Sequence, residues 1–104
     1  MKKMYRQGDV LLVRMDRPPQ GKRMEVEREN GRVILAHGEA TGHAHAIGHP
    51  GAMLFNTGGD TLLSLKEDAV LSHEEHFPIE LPAGLYQVVR QREYTHEGWI
   101  HVED

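Results

Sequence analysis

Apolar residues fall along this chain in short runs separated by turn-forming residues, with no long stretch at the helical spacing, so the pattern predicts strands rather than helices. Asp9-Val10-Leu11-Leu12-Val13-Arg14 is a β-rich run closed by Arg17-Pro18-Pro19-Gln20-Gly21, where two successive prolines lack the N–H a ladder needs. Met24-Glu25-Val26-Glu27-Arg28 alternates apolar and charged positions, and Val33-Ile34-Leu35-Ala36 resumes beyond Glu29-Asn30-Gly31-Arg32. The Asn-Gly pair favours a type I′ turn, so this segment predicts a hairpin. Met53-Leu54-Phe55 and Thr61-Leu62-Leu63-Ser64-Leu65 flank a second turn at Asn56-Thr57-Gly58-Gly59-Asp60, and Ala69-Val70-Leu71-Ser72-His73 follows Lys66-Glu67-Asp68. Pro78-Ile79-Glu80-Leu81, the turn Pro82-Ala83-Gly84, a long strand over 85–94 and a short one over 99–102 complete the set. Only the start of 66–76 competes as a helix.

Many short strands at even spacing predict an all-β fold, a small β-barrel or sandwich, cupin-like or similar, in one domain over 1–104. Leu11, Val13, Ile34, Leu54, Leu63, Leu65, Val70, Leu81 and Val89 are assigned to the core, with Phe55, Tyr86 and Val88. Gly8, Asp9, Pro82 and Gly84 are assigned to shaping the chain.

Composition narrows the function. At 104 residues, 38% of them hydrophobic and 27% charged, the chain is long enough for one core and too apolar for a disordered tail. Twelve basic against sixteen acidic residues give a net charge of −4, which argues against extensive nucleic-acid binding by phosphate neutralisation. The sequence contains no cysteine, so thiolate metal sites, disulfides and cysteine nucleophiles are excluded. No apolar run approaches a signal peptide or a membrane span, and a cytoplasmic protein with no membrane partner is expected.

Eight histidines are the distinctive feature. In Gly42-His43-Ala44-His45-Ala46 the two imidazoles are two positions apart, so on a strand they share a face while Ala44 points away, and the small neighbours leave room for an ion. In Ser72-His73-Glu74-Glu75-His76-Phe77, His73 and Glu75 share a face and His76 opposes them unless a bulge or turn redirects it. Imidazole and carboxylate without thiolate suit a divalent transition metal, Zn²⁺ or Fe²⁺ first and Ni²⁺, Cu²⁺ or Mn²⁺ next. The expected ligands are His43, His45, His73 and His76, with Glu39 and Glu75 as the carboxylates that move protons. His49, His96 and His101 read as loop or surface residues, and the part played by His37 stays open.

At these residues the chain resembles a family of small, mostly uncharacterised proteins of bacteriophages, prophages and bacterial genomes. The likeness is carried by Gln7-Gly8-Asp9-Val10-Leu11, by Gly38-Glu39-Ala40-Thr41-Gly42-His43-Ala44-His45, by the run from His73-Glu74-Glu75-His76 to Leu81-Pro82-Ala83-Gly84-Leu85-Tyr86, and by Gln91-Arg92-Glu93-Tyr94. It implies no assigned activity. A weaker likeness is to cupins, whose first motif has a His-x-His pair after a glycine and whose second has a Pro-x-Gly turn. The chain lacks the cupin glutamate after His45 and the histidine after Gly84, and His73 or His76 is the expected substitute.

Three functions are compatible with these residues. The first is a histidine-rich metal-binding β-barrel acting as a metal-dependent hydrolase or isomerase-like enzyme on a small-molecule or phosphate-containing substrate. The second is metal-free histidine acid–base chemistry, as in a phosphodiesterase or ribonuclease, with Arg90 or Arg92 against the phosphate. The third is a non-catalytic phage or adaptor module. Sheet edges leave a homodimer open, and enzymatic and non-enzymatic roles both remain.

Overall fold

The structure is a computed structural model describing residues 3–38, 42–95 and 98–101, from residue 92 onward by backbone alone. In chain order the strands are β1 (Met4–Gln7), β2 (Val10–Met15), β3 (Met24–Glu25), β4 (Val33–His37), β5 (Ala44–Ile47), β6 (Ala52–Thr57), β7 (Asp60–Leu65), β8 (Ala69–Leu71), β9 (Ile79–Leu81), β10 (Gly84–Arg90), β11 (Arg92–Thr95) and β12 (Gly98–His101). Among the described residues there is no helix, and so none long and apolar enough to cross a membrane.

A six-stranded antiparallel sheet runs β1-β2-β10-β7-β6-β3. Against it lies a second layer, made of the hairpin pairs β4-β5 and β8-β9. Ala46 and Ser72 exchange backbone hydrogen bonds at 2.9 Å in both directions and tie β5 to the end of β8. Val10, Leu12, Leu63, Leu65 and Tyr86 from the large sheet meet Val33, Ile47, Leu71 and Leu81 from the second layer in one apolar cluster. Each fully buried aliphatic or aromatic side chain contributes roughly 1.5–3 kcal/mol. The fold is therefore all-β and sandwich-like; among the described residues the large sheet does not close into a barrel.

Two tight turns depend on glycine. Gly8 and Asp9 connect β1 to β2, with φ +58° at Gly8 alone, the type II′ class that puts glycine first. Asn30 and Gly31 both have positive φ, 53° and 77°, as a type I′ turn requires. Glu29 and Arg32 exchange two hydrogen bonds around it.

The predicted hairpin ends there, however. Met24 and Glu25 pair with Asn56 and Phe55 of β6 instead of β4, and the Val26 N–H donates to the Leu54 carbonyl. A turn sequence fixes the local reversal but not how far the arms stay paired. Strand β1, not expected from sequence, supplies the partner of β2, and the long final strand breaks at Gln91, whose N–H donates to the Asp9 carbonyl.

Core parity also needs correction. Val70 is 47% exposed because its neighbours Ala69 and Leu71 take the inward face of β8. In β2 the inward pair is Val10 and Leu12, leaving Leu11 and Val13 half-buried, and Val89 is half-buried in β10. Ile34, Leu54, Phe55, Leu63, Leu65, Leu81 and Tyr86 are buried as expected. The turn Pro82-Ala83-Gly84 is held by Tyr86, whose hydroxyl donates to the Pro82 carbonyl at 2.6 Å, and by Arg14, which donates to the Ala83 carbonyl at 2.9 Å.

Candidate metal centre

Strand β5 is buried on both faces, and alternation sorts its residues. Ala44 and Ala46 pack with Ile34 on one side, while Ile47 joins the main core on the other. His45 shares the Ile47 face and is only 3% exposed. A buried polar ring requires a partner, and Gln7 at the end of β1 provides it: Oε1 lies 2.8 Å from His45 Nδ1. The Gln7 amide nitrogen donates to the Leu71 and Phe77 carbonyls, each at 3.0 Å. Those carbonyls only accept, so Oε1 is the atom facing the ring, and His45 must donate through Nδ1–H. In the neutral ring Nε2 then carries the lone pair.

The chain between β8 and β9 bends at residues 74–76, and this turn redirects His76 to the same side as His73. The Glu74 carboxylate caps the start of β5 by accepting from the Ala44 N–H at 2.9 Å. The Glu75 N–H donates to His73 Nδ1 at 3.0 Å. Ring centroids lie 4.4 Å apart for His45 and His73, 4.6 Å for His73 and His76, and 5.7 Å for His45 and His76. One nitrogen from each of His45, His73 and His76 falls within 4.8 Å of the others.

Glycines make this convergence sterically feasible. A Cβ on Gly8 would lie 2.8 Å from His76 Nε2, and one on Gly38 would lie 3.1 Å from His73 Nε2. Beside the cluster, Asp9 is nearly buried, with Oδ1 3.6 Å from His45 Nε2. Its Oδ2 accepts from Arg90 Nη2 at 2.6 Å and Nε at 3.1 Å. The β2-β10 register, ending at Val10 opposite Arg90, sets this pair side by side.

Burial, followed by the charge of His73, lowers the His45 pKa to about 4, against the opposing pull of Asp9. His73 is shifted downward as well, by burial and then by His76. Both shifts favour the neutral ring, the state in which imidazole binds metal. Glu74 is held below the usual carboxylate range chiefly by the Ala44 N–H.

His43 stands outside the three-nitrogen group. Its ring meets His73 edge-on at 5.9 Å, and its Nδ1 lies 3.0 Å from the exposed Glu75 carboxylate. Glu75 thus belongs to the mouth of the cluster, while Glu39 lies outside the described residues. His37 pairs with Glu29 at the surface, and His49 Nδ1 accepts from the Gly51 N–H in a loop. His96 and the side chain of His101 lie outside the described residues. Arg90, the cation expected to meet phosphate in metal-free chemistry, commits Nε and Nη2 to Asp9.

Sequence reasoning missed Gln7, Gly8 and Asp9 at this site and gave Arg90 a different role, against phosphate rather than against Asp9. The sole signal for the first three is their place in the Gln7-Gly8-Asp9 run, whose glycine and aspartate read as turn formers. The assembled site offers converging neutral imidazoles, one with its tautomer set by a buried amide and two against glycines. That donor set fits a divalent transition metal.

Comparisons with curated proteins and with solved structures return no match. The model of the family described as Domain of unknown function (DUF8820) matches residues 6–91, which take in Gln7, Asp9, the three histidines and Arg90, and the chain belongs to that family.

Proposed function

We propose that this protein binds a divalent transition metal ion through His45, His73 and His76, with Zn²⁺ or Fe²⁺ as the leading ions and Ni²⁺, Cu²⁺ or Mn²⁺ as others the donors accept. The observation that carries this reading is the approach of three imidazole nitrogens to within 4.8 Å from segments far apart in the chain. Without a cation between them, three such rings gain little from meeting. Two of them are shifted toward the neutral form by burial and by one another.

When bound, such an ion supplies Lewis acidity, polarising a carbonyl or phosphoryl oxygen and bringing the pKa of bound water to about 7. Gln7 orients His45, Glu75 braces His43 at the exposed mouth, and the buried side of the cluster excludes water. This chemistry suits a hydrolase or isomerase-like reaction on a small-molecule or phosphate-containing substrate.

Metal analysis of protein purified without a histidine tag tests the reading. Stoichiometric metal is expected, lost in His45→Ala and His73→Ala and kept in His37→Ala, whose ring lies at the surface. Protein that carries no metal and gains no thermal stability from added Zn²⁺ or Fe²⁺ would sink it.

A further inference from the structure

We propose that the open edge of β1 takes up a strand from another polypeptide, an extended peptide carrying an acidic and a basic residue side by side. This is independent of the metal centre, none of whose three histidines lines the cleft concerned.

Strand β1 ends the six-stranded sheet. The hydrogen-bonding groups of an antiparallel strand alternate between its two sides. The Arg14 N–H donates to the Lys3 carbonyl, and Gln7 opposite Val10 closes the two-residue turn, so Lys3, Tyr5 and Gln7 address β2. The N–H and C=O of Met4 and Arg6 therefore point the other way, and among the described residues no backbone group meets them. The same alternation applies across the gap: Ser72 addresses β5, Ala69 and Leu71 address β9, and Glu80 turns its backbone groups away from β8. An unpaired row of this kind is the template that strand addition uses.

The edge opens on a cleft of about 290 Å³ against the β8-β9 hairpin, lined by Tyr5, Asp68, Val70, Glu80 and Leu81 among others. The Tyr5 ring is held edge-on by Tyr86, with centroids 5.8 Å apart, and Asp68 is held by the Ala83 N–H. A strand added to β1 sends its side chains alternately into the cleft and out to solvent. The residue opposite Tyr5 enters the cleft. Lysine or arginine suits it, with methylenes on Tyr5, Val70 and Leu81 and the charge beside Asp68 and Glu80. The next residue faces outward with the exposed Arg6, where an acidic side chain completes a cross-strand charge pair.

The charges also select against a second copy of this chain. Antiparallel pairing of β1 with itself would bring the exposed Lys3 and Arg6 of two copies together, and like charges across strands destabilise. Basic residues on an edge are a common guard against self-pairing. A strand of mixed charge meets no such barrier.

The test uses the full ¹⁵N-labelled chain and an eight-residue peptide of alternating threonine and valine with a central glutamate-lysine pair. Binding is expected to slow hydrogen exchange at the Met4 and Arg6 amides and to leave the Tyr5 amide, already committed to β2, unchanged. The same peptide N-methylated on the edge that meets β1 is expected not to bind, a comparison that needs no protein variant. Arg6→Glu is expected to weaken the peptide roughly two- to five-fold, the span of one cross-strand charge pair, and a peptide with lysine in place of its glutamate is expected to recover the loss. The proposal is overturned by a peptide that does not bind at millimolar concentration, or by an N-methylated peptide that binds equally well. It is also overturned if the chain alone is a dimer with its Met4 and Arg6 amides protected, since the edge then belongs to a second copy.

Discussion

Gln7 Oε1 and His45 Nδ1 lie 2.8 Å apart in the interior, across 38 positions of sequence, and the amide that makes this contact is itself held by two backbone carbonyls. The relationship is directional. Because Gln7 can present only its oxygen, His45 can present only a donor there, and in the neutral ring its remaining nitrogen, on the side of Asp9, carries the lone pair. A residue at the end of the first strand thus sets the chemistry of one in the fifth, while also joining β1 to the loop that carries His73 and His76.

Replacing Gln7 by methionine preserves volume and removes all three hydrogen bonds. The Leu71 and Phe77 carbonyls then lose a donor, at a cost of about 1–3 kcal/mol each if they stay dry. Free to rotate and to change tautomer, His45 becomes a poorer ligand, and loss of such an orienting partner typically weakens metal affinity by about 10–100-fold. Denaturant titration and chelator competition on Gln7→Met should both move. A Zn²⁺ affinity equal to wild type would mean that the amide only supports the fold.

Acid should destabilise the metal-free protein in a defined window. The His45 pKa is about 4 when folded against 6.5 for the ordinary group, with burial as the main cause. Between those values the unfolded chain binds more protons than the folded one, so stability is fully present above the unfolded pKa and falls as pH drops toward the folded pKa. The loss is on the order of 3 kcal/mol for this group, and His73, shifted the same way, adds to it. Denaturant midpoints measured across this range should fall steadily toward acid, with a smaller slope in His45→Gln; a flat profile contradicts the assignment.

Metal binding should be visible at a single amide. The Glu75 N–H donates to His73 Nδ1, which requires a lone pair on that nitrogen. If Nδ1 coordinates the ion, the lone pair is taken; if Nε2 coordinates, Nδ1 must carry the ring proton. In both cases the Glu75 N–H loses its acceptor. Titration of Zn²⁺ into ¹⁵N-labelled protein should therefore shift the Glu75 amide resonance strongly, while the Glu29 amide, bonded to the Arg32 carbonyl away from the cluster, stays in place. An unmoved Glu75 signal at saturating Zn²⁺ would remove His73 from the ligand set.

The strand pattern was legible because turn residues and β-rich runs act locally: Asn30-Gly31 reverses the chain where their chemistry says it should. Inward parity was not, because alternation tells which residues share a face and not which face meets the other sheet. Val70 and Leu71 are equally apolar in sequence, and only the packing of β8 decides that Leu71 goes in. The two histidine segments stood out by composition, and Ala44 does face away from His45 as spacing implies. His76 reaches the cluster through a turn that spacing leaves undetermined, and His43 stays at the mouth because it precedes the strand. Gln7 and Asp9 were illegible for a further reason: a lone glutamine or aspartate beside a glycine looks the same whether it shapes a turn or serves a site. Their roles depend on long-range pairing of β1, β2 and β10.

Gly8→Ala separates strain from site geometry. Both Gly8 and Gly31 have positive φ, at 58° and 77°, so alanine at either costs about 1–2 kcal/mol in backbone conformation. Space distinguishes them. A Cβ at Gly31 meets nothing within 4 Å, whereas one at Gly8 lies 2.8 Å from His76 Nε2 and 3.2 Å from His45 Cε1. The imidazole of His76 has to withdraw, and withdrawal takes it out of reach of the other two nitrogens. Gly31→Ala is expected to lower the unfolding midpoint and leave Zn²⁺ affinity intact. Gly8→Ala is expected to lower the midpoint similarly and to weaken Zn²⁺ binding by roughly 10–100-fold, the range seen when ligand orientation is lost. Equal affinities in the two variants would show that His76 tolerates displacement and is not needed to hold the ion.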